Sequence, residues 1–351
     1  MFNIYNRRYT GSKYKLMPWI KELIEENCEG TTFFDVFAGT GSVTDYLWEN
    51  YDNFIINDFL YSNEAIYKGF WMQGDYDKEK IYNILKKYND MNANDISANY
   101  VSDNFGNKYF SENDAKRIGY IREEIENLFE DKKITEKEYY ILLASLLYSS
   151  DRISNTCGHY DAYIKKEDIT DKFKYEMIVP KELEKKEINI YREDSNKLAT
   201  KVKCDIAFID PPYNSRQYSR FYHVLENITK WEKPELFGTA LKPKEENMSE
   251  YCKTSAPKVF EDLIRNLDTK YIVVTYNNTY DSKSSSSKNK ITLEEIQEIL
   301  EKVGETKIFS KAYKAFNAGK TDLKNHKEYL FITKVKWYER YYTISVLLCW
   351  R

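Results

Sequence analysis

The sequence predicts an α/β protein: an open, largely parallel sheet with helices on both faces, interrupted by a long helical insert. Three observations carry that expectation. Short β-branched and aromatic runs alternate with amphipathic stretches near the start of the chain. Comparable apolar runs return after residue 187. Between them, residues 75–187 are polar, rich in Asn and Lys, and spaced as helices.

Taken in order, PWIKELIEEN (18–27) spaces its apolar side chains as an amphipathic helix does, with Pro18 in the first turn, where its missing N–H is not needed. TTFFDVF (31–37) reads as a buried strand, AGTGS as the turn leaving it and SVTDYLWENY as a helix. NFIIND (53–58) is a second strand and YSNEAIYKGFWMQ a second helix. Strand, glycine turn, helix and strand make a βαβ unit, the signature of a parallel sheet. In the polar block, SENDAKRIGYIREEIENLFED (111–131) and TEKEYYILLASLLYSS (135–150) predict helices behind Ser or Thr N-caps. Strands resume at INIY (188–191), CDIAFID (204–210), KYIVVTYN (270–277) and EYLFITKV (328–335). A sheet with strands on both sides of such a block implies an insertion, expected as a lobe beside the sheet's C-terminal edge. DSKSSSSKNK (281–290) reads as a solvated loop, and KWYERYYTISVLLCWR (336–351) as a docked strand.

Composition bounds the function. The 351 residues carry 53 Lys and Arg against 56 Asp and Glu, a formal charge of −3. A nucleic acid would therefore have to be met by a local basic face. Cys28, Cys157, Cys204, Cys252 and Cys349 are scattered and odd in number, which argues against a disulfide framework or a zinc site and for a reducing cytosol. The start, MFNIYNRRYTGSKYK, lacks the apolar core of a signal peptide, and no run reaches the roughly 18 apolar residues of a membrane span. A soluble, cytoplasmic protein with no membrane partner is expected.

Three stretches carry chemistry. In FFDVFAGTGS (33–42) a strand delivers Asp35 and Phe37 to its end, and Gly39 and Gly41 turn the chain into a helix. A dinucleotide fingerprint would need glycine where Thr44 stands, and a phosphate loop would need Lys where Ser42-Val43 follow. A nucleoside cradle without a diphosphate remains, beside the plain reading of a strand–helix turn. In IINDF (55–59), Asp58 ends the next strand 17 residues beyond Gly41, where an acid either bonds ribose hydroxyls or caps the following helix. In FIDPPY (208–213), Asp210 lies at a strand tip, where open α/β sheets bind ligands. Pro211 and Pro212 withdraw backbone donors and stiffen the turn, gathering a carboxylate, a free carbonyl and the Tyr213 ring. A carboxylate and a carbonyl together accept two hydrogen bonds, which suits an exocyclic amino group, and a ring stacks on a flat base. A strand-ending turn is the alternative.

DVFAGTG with FIDPPY resembles the S-adenosylmethionine-dependent DNA adenine-N6 methyltransferases of the Dam-like D12 class. NRRYTGSKYKL (6–16) is similar to that class's opening motif, and the motif order matches: opening motif, glycine motif, insert, DPPY. DRISNTCGHYDAY (151–163) and DPPYNSRQYSRFYHVLENI (210–228) resemble the FokI-type subgroup more closely. The likeness covers most of 5–335 in pieces, is least clear over 75–150 and is absent from 336–351. Tyr9 stands where Dam-type enzymes often carry Trp.

The resemblance implies a Rossmann-like methyltransferase sheet, with 1–74 and 188–335 as the cofactor-binding catalytic domain, 75–187 as an inserted helical DNA-recognition lobe and 336–351 as a tail. It implies S-adenosyl-L-methionine held by Tyr9, Lys13, Asp35, Phe37, Ala38, Gly39, Gly41 and Asp58, with Asp194 of YREDSNKL (191–198) on the adenine side. It implies a flipped target adenine held by Asp210, Pro211, Pro212 and Tyr213. Double-stranded DNA is the expected partner, and a cognate restriction endonuclease a candidate one. Arg216, Tyr218 and Arg220, a turn or two beyond DPPY, read as phosphate or flanking-base contacts or as ordinary surface residues. His159 and Tyr160 gain a DNA-side role only from the resemblance. No metal is required, because a sulfonium is already an activated methyl donor. The rivals are cytosine-N4 or RNA adenine methylation, a non-catalytic cofactor-binding DNA-recognition protein and, more distantly, a dehydrogenase.

Overall fold

The computed structural model describes residues 1–166, 168–183, 185–278, 288–312 and 326–336. Most of the 281–290 loop and all but the first residue of the 336–351 tail lie outside the described residues. Seven strands form one sheet: β1 (Thr32–Asp35), β2 (Asn53–Asn57), β3 (Glu187–Tyr191), β4 (Ile206–Ile209), β5 (Tyr271–Asn277), β6 (Gly304–Ala312) and β7 (Lys327–Val335). Their order is β3-β2-β1-β4-β5-β7-β6. The first five run parallel, and β7 is antiparallel to both β5 and β6. The chain leaves β1 in one direction and β4 in the other, so the strand order reverses between them. A ligand crevice belongs at the carboxyl ends of those two strands.

Six of the seven strands coincide with the apolar runs: the interior strands, covered on both faces, read as near-continuous hydrophobic segments, and the edge strand β3 keeps the β-branched run INIY although none of its residues is buried. The seventh, β6, does not: GETKIFSKA is an edge strand with most side chains exposed, and its polar composition hides it.

Helices cover both faces. On one, Phe33, Phe54, Phe208, Val273 and Leu330 pack beneath the helices Met17–Asn27, Tyr61–Trp71 and His223–Lys230. On the other, Phe34, Ala207, Ile209, Ile272 and Val274 meet the helices Ala256–Asn266 and Leu293–Glu301. The insert contributes Ile141, Leu142 and Ala144 to the first of these clusters, so its apolar side is continuous with the sheet's own core. Its helices are Lys78–Asn89, Tyr100–Phe105, Glu112–Glu130 and Glu136–Ile153. Ser111 caps the third, and Thr135 forms a capping box with Glu138 on the fourth. Gly69 permits the closest approach: a Cβ there would lie 2.7 Å from Ala144 Cβ and 2.8 Å from the Tyr140 carbonyl. No helix among the described residues is long and apolar enough to cross a membrane.

Candidate active site

Side-chain alternation assembles the site. Phe33, Phe208 and Val273 share one core cluster, so Asp35, Asp210 and Thr275, each two residues further on, point to that same face. Strand pairing sets Asp210 level with Thr275, Ile209 lying beside Val274, and leaves Asp35, beside Phe208, two residues deeper along the same face. The result is a polar row along the carboxyl rim of β1, β4 and β5, at the reversal of strand order.

Asp210 is held by three donors. Lys13 Nζ lies 2.8 Å from Oδ2, Thr275 Oγ1 donates to Oδ1 at 2.9 Å, and the Tyr213 hydroxyl also donates to Oδ1. Lys13 is buried and stands 4.9 Å from the centre of the Tyr213 ring. Tyr276 meets that ring edge-on at 4.7 Å. Burial and the neighbouring Asp210 charge hold the Tyr213 hydroxyl well above its usual range, so it stays a donor. Lys13, expected at the cofactor, thus sits on the DPPY carboxylate.

The glycine turn is built around Asp58. Its Oδ2 accepts the Gly39 N–H and its Oδ1 the Leu60 N–H, each at 2.9 Å, while the Tyr67 hydroxyl donates to the Gly39 carbonyl at 2.7 Å. Gly41 has φ +75°, and a Cβ there would strike Trp71 at 2.6 Å, so glycine is demanded twice over. Ala38 N–H bonds the Asn57 carbonyl at 2.9 Å, and Phe37 meets Tyr251 edge-on at 5.0 Å. Asp35 is fully enclosed. Its Oδ2 accepts the Thr44 hydroxyl at 2.9 Å, but its Oδ1 has no hydrogen-bond partner. Burial, with Asp210 and Asp58 nearby, pushes its pKa up to about 7 despite the Thr44 bond. A buried carboxylate oxygen left bare is costly unless a ligand completes it. The ammonium of an amino-acid-bearing cofactor is a fitting partner.

The opening motif folds onto the segment after DPPY. Tyr9 stacks on Tyr222 at 4.6 Å and on Tyr218 at 5.4 Å. Thr10 N–H donates to the Tyr222 hydroxyl at 2.9 Å, and the Tyr218 hydroxyl donates to the Thr10 carbonyl at 3.2 Å. Tyr218 is therefore part of the clamp that holds Tyr9 and Lys13 over the rim. Arg220 Nη1 donates to the Pro243 carbonyl at 2.6 Å, and Arg216 lies 5.7 Å from the Phe221 ring. His159 stacks on Phe221 at 4.6 Å. Tyr160 is wholly buried and donates its hydroxyl to Asp151 at 3.0 Å. Asp194 caps the short helix Ser195–Ala199 through bonds from Asn196 and Lys197, both 3.1 Å.

Sequence reasoning missed four supports. Thr275 is a polar residue in the buried strand β5, and its hydroxyl serves Asp210. Gln217 exchanges hydrogen bonds with the Ser249 backbone at 3.0 and 2.7 Å, pinning the chain after DPPY. Asp151 accepts the Arg8 N–H at 3.0 Å, tying the segment 151–163 to the opening motif. Glu226 caps the helix Tyr61–Trp71 through the Tyr61 and Ser62 N–H groups at 3.1 and 2.8 Å. Only the last carried a signal, as an acid within an amphipathic helix.

Comparison with known proteins settles the lineage. The family model for the D12 class of N6 adenine-specific DNA methyltransferases matches residues 9–284, from the opening motif to just past β5. The chain belongs to this family. Among its D12 relatives, modification methylase LlaI of Lactococcus lactis subsp. lactis is 33% identical over 290 residues, covering 77% of this chain and 46% of that one. The type II methyltransferase M.NlaIII of Neisseria lactamica is 31% identical over 344 residues, covering 92% of this chain and 98% of that one. M.FokI of Planomicrobium okeanokoites is 33% identical over 345 residues, covering 92% of this chain and 52% of that one. The chain thus spans about half the length of the LlaI and FokI enzymes and nearly all of M.NlaIII. The rim residues Asp35, Gly39, Asp58, Asp210 and Thr275 all fall within the D12 match.

Proposed function

We propose that this D12 protein transfers a methyl group from S-adenosyl-L-methionine to N6 of an adenine flipped out of duplex DNA, as the modification enzyme of a restriction–modification system. One observation carries the reading: the rim joins a DPPY carboxylate, fixed by three donors, to a buried acid with one oxygen left for a cation. The relatives' names, a modification methylase and two type II methyltransferases, support the biological setting.

Adenine N6 is a poor nucleophile because its lone pair is delocalised into the ring. Asp210 and the Pro211 carbonyl accept the two amino hydrogens and turn the lone pair toward the donor methyl. The Tyr213 ring stacks on the base, at about 1–3 kcal/mol for such contacts, offsetting part of the few kcal/mol that flipping costs. For that the Tyr213 hydroxyl leaves Asp210, and Thr275 and Lys13 keep the carboxylate in place. The cofactor, when bound, supplies an activated sulfonium methyl. Asp35 takes its ammonium, Asp58 its ribose hydroxyls, Phe37, Ala38, Gly39, Gly41 and Tyr9 line it, and Asp194 lies toward its adenine end. The remaining work is positioning and electrostatics. Residues 75–187 carry target recognition, with His159, Arg216 and Arg220 at the DNA-facing side of the clamp and Tyr160 holding that loop from beneath.

The test is nucleoside analysis of DNA and RNA treated with the enzyme and labelled cofactor. N6-methyladenine in DNA is the expected product. N4-methylcytosine, or label in RNA alone, overturns the substrate, and no transfer at all favours a non-catalytic binder.

A further inference from the structure

We infer that Thr275 is a positioning residue for methyl transfer: its hydroxyl fixes the Asp210 carboxylate in the orientation that receives the adenine amino group. The inference rests on the reading of Asp210 as the adenine-binding acid. It adds a member to the site that no motif of the sequence announces.

The problem is how Asp210 is aimed. It stands one residue beyond β4, and Pro211 and Pro212, which have no N–H, follow it. The backbone ladder has ended there, so the carboxylate's orientation depends on its side-chain partners. Two of the three partners sit on segments that also meet ligands. Lys13 reaches from the opening motif on a flexible four-carbon stem. Tyr213 belongs to the DPPY turn, and its ring has to stack on the incoming base, which draws its hydroxyl away from Oδ1.

Thr275 has neither freedom. Its strand is paired on both sides, to β4 through Val274 and Ile209 and to β7 through Thr275 itself and Leu330. Its side chain is 2% exposed and β-branched, so its χ1 is restricted. The hydroxyl donates to Oδ1 at 2.9 Å. One lone pair of Oδ1 is thereby committed and the carboxylate plane set, leaving the other acceptor positions for the amino group. The donor thus stands on a strand paired on both sides, which is what a preorganised site needs. A buried strand written VVT would be served as well by a third valine if packing alone mattered.

The experiment compares Thr275→Val and Thr275→Ser in the full chain. Single-turnover transfer of labelled methyl to adenine-unmethylated genomic DNA is measured alongside calorimetric cofactor binding. Because a hydrogen bond to a charged group contributes about 1.5–3 kcal/mol, Thr275→Val should slow transfer by about 10–100-fold. Cofactor affinity and the KM for DNA should stay within about threefold, since the lost bond acts on the reacting geometry. Thr275→Ser, which keeps the hydroxyl, should recover most of the rate. The inference is overturned by a Thr275→Val rate within about twofold of wild type, by a Thr275→Ser rate as low as that of Thr275→Val, or by a loss confined to cofactor affinity. Should Thr275→Val fail to fold, Thr275→Ala decides on the same readouts. Asp210→Ala, run in parallel, separates the two ideas: a rate retained there removes the reading of the site itself, not merely the role of Thr275.

Discussion

Glu226 and Asp35 are both buried acids on the same side of the sheet, and they are finished differently. Glu226 has each oxygen on a backbone N–H of the helix it caps. Asp114, in the insert, is completed likewise by the Lys172 and Phe173 amides at 2.8 and 3.1 Å. Asp35 has one oxygen on Thr44 and the other on nothing. Asp210 stands between these cases, fully bonded, but by side chains, one of which has to let go. Glu226, Asp114 and Asp35 are buried, and Asp210 is partly so. What separates the acids that hold the fold from those proposed to serve ligands is whether the protein itself completes their hydrogen bonds, and with groups that can leave.

The largest expected effect breaks the ligand-facing half. Asp210→Ala should lower methyl transfer by at least about 10³-fold, as loss of a preorganised charge at the reacting centre does. Calorimetry should find cofactor affinity nearly unchanged, and a rate close to wild type would remove Asp210 from the chemistry. Next comes the finished acid. Glu226→Ala leaves two buried amides of a helix N-terminus without partners and should cost about 3 kcal/mol of stability. Urea unfolding at constant m reads this, while transfer per folded molecule changes little. If the rate falls further than stability does, the division between the two kinds of acid fails.

Asp58 tests the boundary, because it pins Gly39 and is also the acid proposed to hold the cofactor's ribose. Asp58→Ala should weaken cofactor binding by about 10–100-fold, the scale of lost bonds to a charged acceptor, with a smaller effect on saturated turnover. An unchanged dissociation constant would leave Asp58 as a turn-former only.

The same contrast explains what could be read without coordinates. β1, β2, β4 and β5 were legible because strands buried on both faces are largely apolar, and β6 was not because an edge strand exposes most of its side chains. Asp35, Gly39, Asp58 and Asp210 were legible because a strand end, a glycine turn and two prolines are local features. The clamp of Tyr9 on Tyr218 and Tyr222, the bond from Arg8 to Asp151 and the hydroxyl of Thr275 join residues 65 to 213 positions apart. Such contacts come from tertiary folding, and no local pattern encodes them. That is why Tyr218 and Tyr160, expected from the sequence at the DNA, are placed by the structure in packing roles, Tyr218 against Tyr9 and Tyr160 buried on Asp151.

The smallest effect sharpens the comparison most, because it depends on pH alone. Burial raises the folded Asp35 pKa to about 7, against an unfolded value near 4 for aspartate. Between those values the folded state holds a proton that the unfolded state has lost, so this group's contribution to stability falls as pH rises from about 4 to about 7 and is flat above. Cofactor binding has the opposite sign, because only the ionised carboxylate attracts an ammonium. Affinity should therefore climb about fivefold from one pH unit below 7 to pH 7, the ratio of ionised fractions, and level off toward pH 8 as the α-ammonium loses its own proton. Asp35→Asn should flatten both trends while retaining the Thr44 hydrogen bond. Calorimetric dissociation constants at pH 6, 7 and 8, with urea unfolding over pH 5–8, read the two signs separately. Were wild type and Asp35→Asn to share one pH profile for binding, the bare oxygen of Asp35 would be a structural vacancy filled by water, and the contrast with Glu226 would be one of degree.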